Sequence, residues 1–398
     1  MTANSRYLPL CNMFASCPNQ SNTSPAVGVR CMTIDPSNGD VYFAGDFTTV
    51  NGLSRLGLAC ITRNGILKSW NPGVASGGVT QMKFTSAGIY VIGTFTNIGG
   101  GSGTTNRNYM ALLDTTGSVL SWDPNHSFAI WSSAPLCFDT AGAGPIYLCW
   151  ANFLAQVSSA GVVSAAPWGN TVITTSGGGI SINTCAVQGS YLYIGGQFTS
   201  GNTNGSGGTQ ALGGIARIIT STSYVDSWAP VCKLSGNAFA AVINSLCFDS
   251  GGTLYVAGHF DNVIGTTQTN WAAINTSGPS LTSWLPTPTG SPVGWFVVAN
   301  GTDIYWAGQY TSSPAKANQV GCMTAAGSGA GWDPYTGGPF LAAAIKSQVM
   351  CIAPDASNPT VPAIWIGGTF STVLNGTITR LEITKFADRT QIPTALAY

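Results

Sequence analysis

Chemistry needs titratable side chains, and this chain has few. Its 398 residues include 14 acidic side chains, with Glu382 the only glutamate, and two histidines, His126 and His259. A glycosidase needs two carboxylates held at a set separation. Here the aspartates recur at equivalent places instead. Asp40 and Asp303 precede one kind of repeated strand, and Asp35, Asp139 and Asp249 follow another. Such recurrence points to turn formation, which Asp favours. His126 lies just after a Trp-x-Pro exit and His259 is the x of a Gly-x-Phe run; a lone strand histidine reads as structural. No His-Glu-x-x-His, Gly-x-Ser-x-Gly or phosphate-loop motif occurs. Loop Asp and Asn oxygens suit calcium, but no EF-hand-like run supports such a site. The expectation is a protein that is not an enzyme, with no catalytic residue, no metal and no cofactor.

The 11 cysteines include no Cys-x-x-Cys pair, which argues against a zinc ribbon or a thioredoxin-like site. Cys31, Cys137, Cys185, Cys247 and Cys351 align at one place in a repeated strand. One reading is a ring of metal-binding thiols. The favoured reading is a small buried hydrophobe copied by duplication. All five are expected to be reduced, because strands standing around an axis hold most pairs beyond the roughly 4.4–6.8 Å between Cα atoms that a disulfide needs. Cys11 and Cys17 are the expected exceptions.

The elements that position these residues are repeats. YFAGDF (42–47), YVIGTF (90–95), YIGGQF (193–198), YVAGHF (255–260), YWAGQY (305–310) and WIGGTF (365–370) are six copies of one strand, and IYLCWANF, ending at Phe153, is a degenerate seventh. From Phe47 to Phe370 the mean spacing is about 54 residues. An apolar strand precedes each copy (VRCMTID, VTQMKF, PLCFD, INTCAV, SLCFD, WFVVA, VMCIAP), and a third follows (LGLACIT, YMALLD, ALGGIARII, WAAINT, QVGCMT, ITRLEIT). A fourth ends in Trp-x-Pro at Trp70, Trp122, Trp228, Trp284 and Trp332. Proline fits such an exit, where its missing N–H costs no ladder bond. Four short antiparallel strands repeated seven times predict an all-β fold, a seven-bladed β-propeller of four-stranded antiparallel blades. The glycine marks a point where no Cβ fits or the strand bends, and the last aromatic fills the wedge between neighbouring blades.

DFTTVNGLSRLGLACITRNG (46–65) and TFTNIGG (94–100) carry a likeness to a known family. The pattern Gly-x-Phe-Thr-x-Val-Asn-Gly, then a short strand, then Asn/Asp-Gly and Trp-x-Pro, resembles the delta-60 repeat β-propellers over residues 27 to 385. The third copy departs by lacking the glycine and the last by lacking the Trp. The resemblance implies a propeller of the kind found in bacterial surface and phage-encoded proteins, with no common enzymatic activity.

The loops divide by length. Connections between first and second strands (SNGD, SAG, SGG, NGTD) and between third and fourth (RNG, TTG, SAG) are tight, as Gly and Asn allow. Those between second and third strands are long: 96–108, 199–210, 261–270 and 311–319. Function carried by loops belongs on the elaborated face. In the reading of the chain as a glycan-binding module, Trp131 and Tyr335 are the candidate stacking platforms, with burial the equal alternative for each.

Only 7% of residues are charged, with net charge +0, so no basic stripe exists for nucleic acid. With 44% hydrophobic residues a packed core is expected. No apolar run reaches about 20 residues, so no membrane insertion is expected. The N-terminus lacks the look of a secretory signal. Residues 1–26 belong to no repeat and would dock on a partner or supply a closure strand, and residues 27–398 form the propeller. The expectation is a non-enzymatic bacteriophage virion structural protein in an extracellular particle: a tail, fibre or capsid-surface propeller. It would contact other virion proteins as a homo-oligomer or multi-copy assembly and touch a host surface glycan. The alternatives are a bacterial surface adhesin or glycan-binding propeller and, third, a propeller hydrolase or lyase.

Overall fold

The computed structural model describes residues 28–125, 136–138, 145–150, 153–164, 173–174, 181–203, 208–235, 241–286, 292–310, 318–326, 349–355, 357, 363–368, 372–373, 378–379 and 383–387. All regular structure among them is β-strand. The chain divides into two compact units. One comprises Met1–Ser132, Thr311–Gly321 and Gly331–Tyr398, the other Ser133–Tyr310 and Cys322–Ala330.

In the first unit each repeat is a three-stranded antiparallel sheet. Val29–Ile34, Val41–Gly45 and Leu58–Ile61 form one; Val79–Thr85, Gly88–Gly93 and Met110–Leu113 a second; Val349–Asp355, Ala363–Gly368 and Ile383–Ala387 a third. The second strand is always central, and it is the most apolar: every residue of Val41–Gly45 and of Gly88–Gly93 is buried. One core cluster joins both ends of the chain, packing Val29, Met32, Phe43 and Phe47 with Cys351, Ala353, Trp365 and Ile383. The third strand of the last repeat is Ile383–Ala387, later than ITRLEIT suggests; Ile378–Thr379 instead joins a small hairpin with Thr372–Val373.

The second unit repeats the plan with Ser181–Gln188, Tyr191–Gln197 and Ile215–Ile219, and with Val242–Phe248, Leu254–His259 and Trp271–Ile274, and it also pairs Pro292–Asn300 with Asp303–Tyr310. Its first sheet, Leu136–Phe138, Ile146–Trp150, Phe153–Val157 and Val163–Ser164, is the four-stranded one. There Trp150 pairs directly with Phe153. Phe153 therefore opens the third strand and does not close the second, and this repeat has no excursion between them.

Elsewhere the expected fourth strand shrinks to a single bridge: Ile61 to Leu67, Leu113 to Val119, Ile218 to Val225, Ile274 to Leu281. The reason is the tryptophan that follows. Trp70 and Trp284 are fully buried, so the chain leaves the ladder early to carry the indole into the core.

The Gly-x-Phe glycine is demanded by its neighbours. A Cβ on Gly93 would lie 1.9 Å from the Gly78 carbonyl oxygen, and one on Gly196 would lie 1.9 Å from that of Ser181. The following aromatic is buried against the preceding sheet, as Phe95 is among Tyr42, Cys60 and Trp70 and Phe260 among Tyr193, Ile215 and Trp228.

Three of the long connections hold short hairpins, and residues 204–207 and 311–317 lie outside the described residues. Residues 96–108 contain a hairpin of Asn97–Ile98 with Thr105–Asn106. Residues 199–210 run into one of Ser200–Asn202 with Thr209–Ala211, and 261–270 hold one of Asn262–Val263 with Thr266–Thr267. Each also pairs with the segment entering its own repeat: Val74 bridges Ile98, Ile173 pairs with Gly201, and Cys232 pairs with Val263.

Candidate functional site

The first strand of six sheets carries a β-bulge within three residues of its start. Register shifts fall between Val29 and Cys31, Val79 and Gln81, Ile182 and Thr184, Ile243 and Ser245, Gly294 and Phe296, and Val349 and Cys351. The extra residues are Arg30, Thr80, Asn183, Asn244, Trp295 and Met350. A bulge re-aims the side chain of its extra residue and often sits beside a functional site. These bulges lie at the sheet ends that lead into the hairpin connections.

In the second unit the bulged residues form a linked series. Asn183 Nδ2 donates to the Ile243 carbonyl at 3.0 Å, and Asn244 Nδ2 donates to the Gly294 carbonyl at 2.8 Å. Each amide thus grips the residue just before the next bulge. Deeper along the same strands, Leu246 N donates to Thr184 Oγ1 and Val297 N to Ser245 Oγ. The series ends in Trp295, 41% exposed. His259 is exposed and pairs with Val242, two residues before Asn244. In the first unit the corresponding positions differ. Arg30 Nε donates to Asp46 Oδ2 at 2.7 Å, and Thr80 Oγ1 donates to the Ile92 carbonyl at 3.3 Å.

Of the aspartates singled out in the sequence, Asp35 and Asp249 act in turns. Asp35 accepts from Ser37 N, Ser37 Oγ and Asn38 Nδ2; Asp249 accepts from Thr253 N and the Tyr255 hydroxyl. Asp40 pairs with Lys68, whose amine is held above its ordinary range by that hydrogen bond. Asp139, His126, Trp131, Tyr335, Cys11, Cys17 and residues 1–26 lie outside the described residues.

The cysteines depart from expectation twice. They do not share one register. Cys31 and Cys351 face Ala44 and Gly367, Cys185 faces Ile194, and Cys137 and Cys247 face Tyr147 and Tyr255. Successive strand residues point to opposite sides, so the aligned letters hide side chains aimed at different neighbours. Cys185 is disulfide-bonded, not reduced. The strands Leu136–Phe138 and Ser181–Gln188 pack against one another, so first strands of neighbouring sheets are not all held apart. Cys31, Cys247 and Cys351 are free thiols. Desolvation pushes Cys31 up to about 12.

Nothing in the sequence analysis singled out the bulge residues. In four of the six strands their signal was a polar residue just behind an apolar one near the strand start, as in Val-Arg-Cys, Val-Thr-Gln, Ile-Asn-Thr and Ile-Asn-Ser.

Neither the family models nor the curated proteins give a match to this chain. Solved structures do. One described as a streptogramin B lyase structure superposes with a TM-score of 0.52 at 12% identity, over 92% of this chain and 95% of that one. The fold is of the β-propeller type. A selenomethionine-substituted virginiamycin B lyase from Staphylococcus aureus follows with a TM-score of 0.48 at 12% identity, over 94% and 97% of the two chains. The WD40 β-propeller domain of Doa1 gives 0.39 at 11% identity, over 76% and 93%. At such identities the likeness is one of fold.

Proposed function

We propose that this chain is a non-enzymatic, seven-bladed β-propeller of a bacteriophage virion. It sits on a tail, fibre or capsid surface in several copies, makes assembly contacts, and presents its bulged sheet ends to the host surface. The observation that carries this reading is the pairing of the hairpins in three long connections. Val74–Ile98, Ile173–Gly201 and Cys232–Val263 pairings tie each hairpin to the segment entering its repeat. A stiff, elaborated end with few titratable groups suits recognition better than catalysis.

Closure into a ring is supported by the core that packs Val29 and Met32 with Cys351 and Trp365. Closure would hide the sheet edges that invite aggregation. The virion assignment is supported by the delta-60 resemblance and by a composition with 7% charged residues and 51 glycines.

The test is to purify particles from a producing culture on a density gradient, digest them for peptide mass spectrometry, and label them with antibody for electron microscopy. Peptides spanning the repeats should co-sediment with particles, and label should decorate one surface feature that disappears on gene deletion. Recovery of the chain only in the soluble lysate would reject the reading.

A further inference from the structure

The series Asn183, Asn244, Trp295 breaks its own pattern at the last member. The first two bulged residues are amides that grip the next bulge. The third is an indole, and it is held in place rather than loosely displayed. Asn244 fixes the carbonyl of Gly294, the residue before Trp295. Gly294 itself has no room for a side chain, since a Cβ there would lie 2.4 Å from the Asn270 carbonyl oxygen and 2.8 Å from Gly258 N. A large apolar ring with 41% of its surface in water, on a backbone clamped from two sides, is arranged for contact with something outside the fold.

We propose that this end of the second unit binds a neutral carbohydrate, with Trp295 as the stacking platform and Asn183, Asn244 and His259 supplying hydrogen bonds. The proposal rests on the recognition role given above and names its ligand class. Three features select that class.

The first is charge. The six strands Ser181–Gln188, Tyr191–Gln197, Val242–Phe248, Leu254–His259, Pro292–Asn300 and Asp303–Tyr310 contain one Asp and no Lys, Arg or Glu. That aspartate, Asp303, sits beside Asn300 at the far turn. An anionic ligand would call for Arg or Lys at the bulge itself, as Arg30 stands in the first unit; here the bulged residues Asn183, Asn244 and Trp295 are uncharged, and Lys233 stands apart on the entering segment opposite Asn262.

The second is the donor and acceptor set. Each bulge amide spends one N–H on its neighbour's carbonyl. Its carbonyl oxygen and second N–H can serve a hydroxyl, which both gives and takes a hydrogen bond. The third is the ring. The C–H face of a sugar fits an indole plane as an apolar surface with a polar edge.

The test uses the full chain on an array of neutral and anionic bacterial glycans, followed by calorimetry on the strongest hits. Neutral oligosaccharides should bind, and the Kd should not change between about 0.05 and 0.5 M salt. Trp295→Ala should weaken binding at least about tenfold with the melting temperature kept, since the ring is exposed. Trp295→Phe should retain most of the affinity, and Asn244→Ala should lose part of it by freeing the Gly294 carbonyl. No binding of any neutral glycan at about 1 mM, binding that Trp295→Ala leaves intact, or hits limited to anionic glycans with strong salt dependence would each overturn the proposal. Glycan failure with the chain present in particles rejects this site and leaves the virion role standing. Glycan binding by a chain absent from particles does the reverse.

Discussion

The Trp284 ring meets the Tyr255 ring edge to face, with centroids 5.0 Å apart and planes at 88°. The pairing recurs as Tyr42 with Trp70, Tyr90 with Trp122 and Tyr193 with Trp228. Each pair joins the first letter of the repeated six-residue strand to the Trp of Trp-x-Pro, so two motifs that look separate in sequence are one contact. The tryptophan also reaches the following sheet: Trp70 Nε1 donates to the Asp114 carbonyl at 3.0 Å and Trp228 Nε1 to that of Asn275 at 3.1 Å.

Removing such a ring should therefore loosen two sheets at once. Trp70→Ala is expected to cost about 3–5 kcal/mol in urea unfolding. A double-mutant cycle of Tyr42→Leu with Trp70→Leu should return a coupling of about 0.5–1.5 kcal/mol for the edge-to-face geometry. A coupling near zero would mean that the rings merely fill space.

Much of this was legible in the letters. The repeated six-residue runs, the apolar runs that flank them and the tight turns between them reveal the order of the first three strands. What stayed hidden depends on one-residue register. The bulges at Asn183, Asn244 and Trp295 leave composition unchanged while reversing which face each later residue occupies. Cys31 and Cys351 stand one residue beyond the bulged residue, Cys185 two and Cys247 three, so cysteines that align by letter occupy different registers. The fourth strands were overcalled because a ladder partner and a buried Trp compete for the same few residues. The hairpins within the long connections are too short to show periodicity.

The glycine requirement can be tested by contrast. Gly93→Ala and Gly196→Ala would each force a Cβ to 1.9 Å from a backbone oxygen, whereas a Cβ on Gly278 meets nothing within 4 Å. The first two should lower stability by more than about 2 kcal/mol and the third by less than about 0.5 kcal/mol, read from denaturant midpoints. Equal effects would remove steric exclusion as the reason for the motif.

Arg217 lies over the Tyr191 ring at 4.4 Å and the Trp228 ring at 5.4 Å, pairs with Asp226, and donates to the Thr276 carbonyl at 2.8 Å. Lysine has the charge without the planar fork. Arg217→Lys should cost about 1–3 kcal/mol, seen as a lower thermal midpoint, and salt should not restore it. A variant as stable as the parent would show that the stacked network adds nothing.

The thiols offer a chemical check on the core. Cys185 is bonded, while Cys31, Cys60, Cys149, Cys232, Cys247, Cys322 and Cys351 are free. Alkylation in denaturant without reductant should label those seven and spare Cys185 in the peptide map. Reducing the native protein should lower stability by about 2–4 kcal/mol. Full labelling of Cys185 before reduction would contradict the bonded assignment.

Alkaline pH should reveal the same burial. Desolvation raises Cys31 and Cys232 from 9.0 to about 12 and pushes Cys149 higher still. In the unfolded chain these thiols ionise near the ordinary value. Between that value and the raised one the native state holds more protons than the unfolded state, so stability falls as pH rises. Below pH 9 both states are protonated and these thiols give no slope. From about pH 9 to 12 each contributes a loss of up to about 1.4 kcal/mol per pH unit. Urea unfolding at stepped pH should show a plateau and then a steep decline, shallower in Cys232→Ala than in the parent. A slope unchanged by that substitution would show that the thiol is not held neutral by the core.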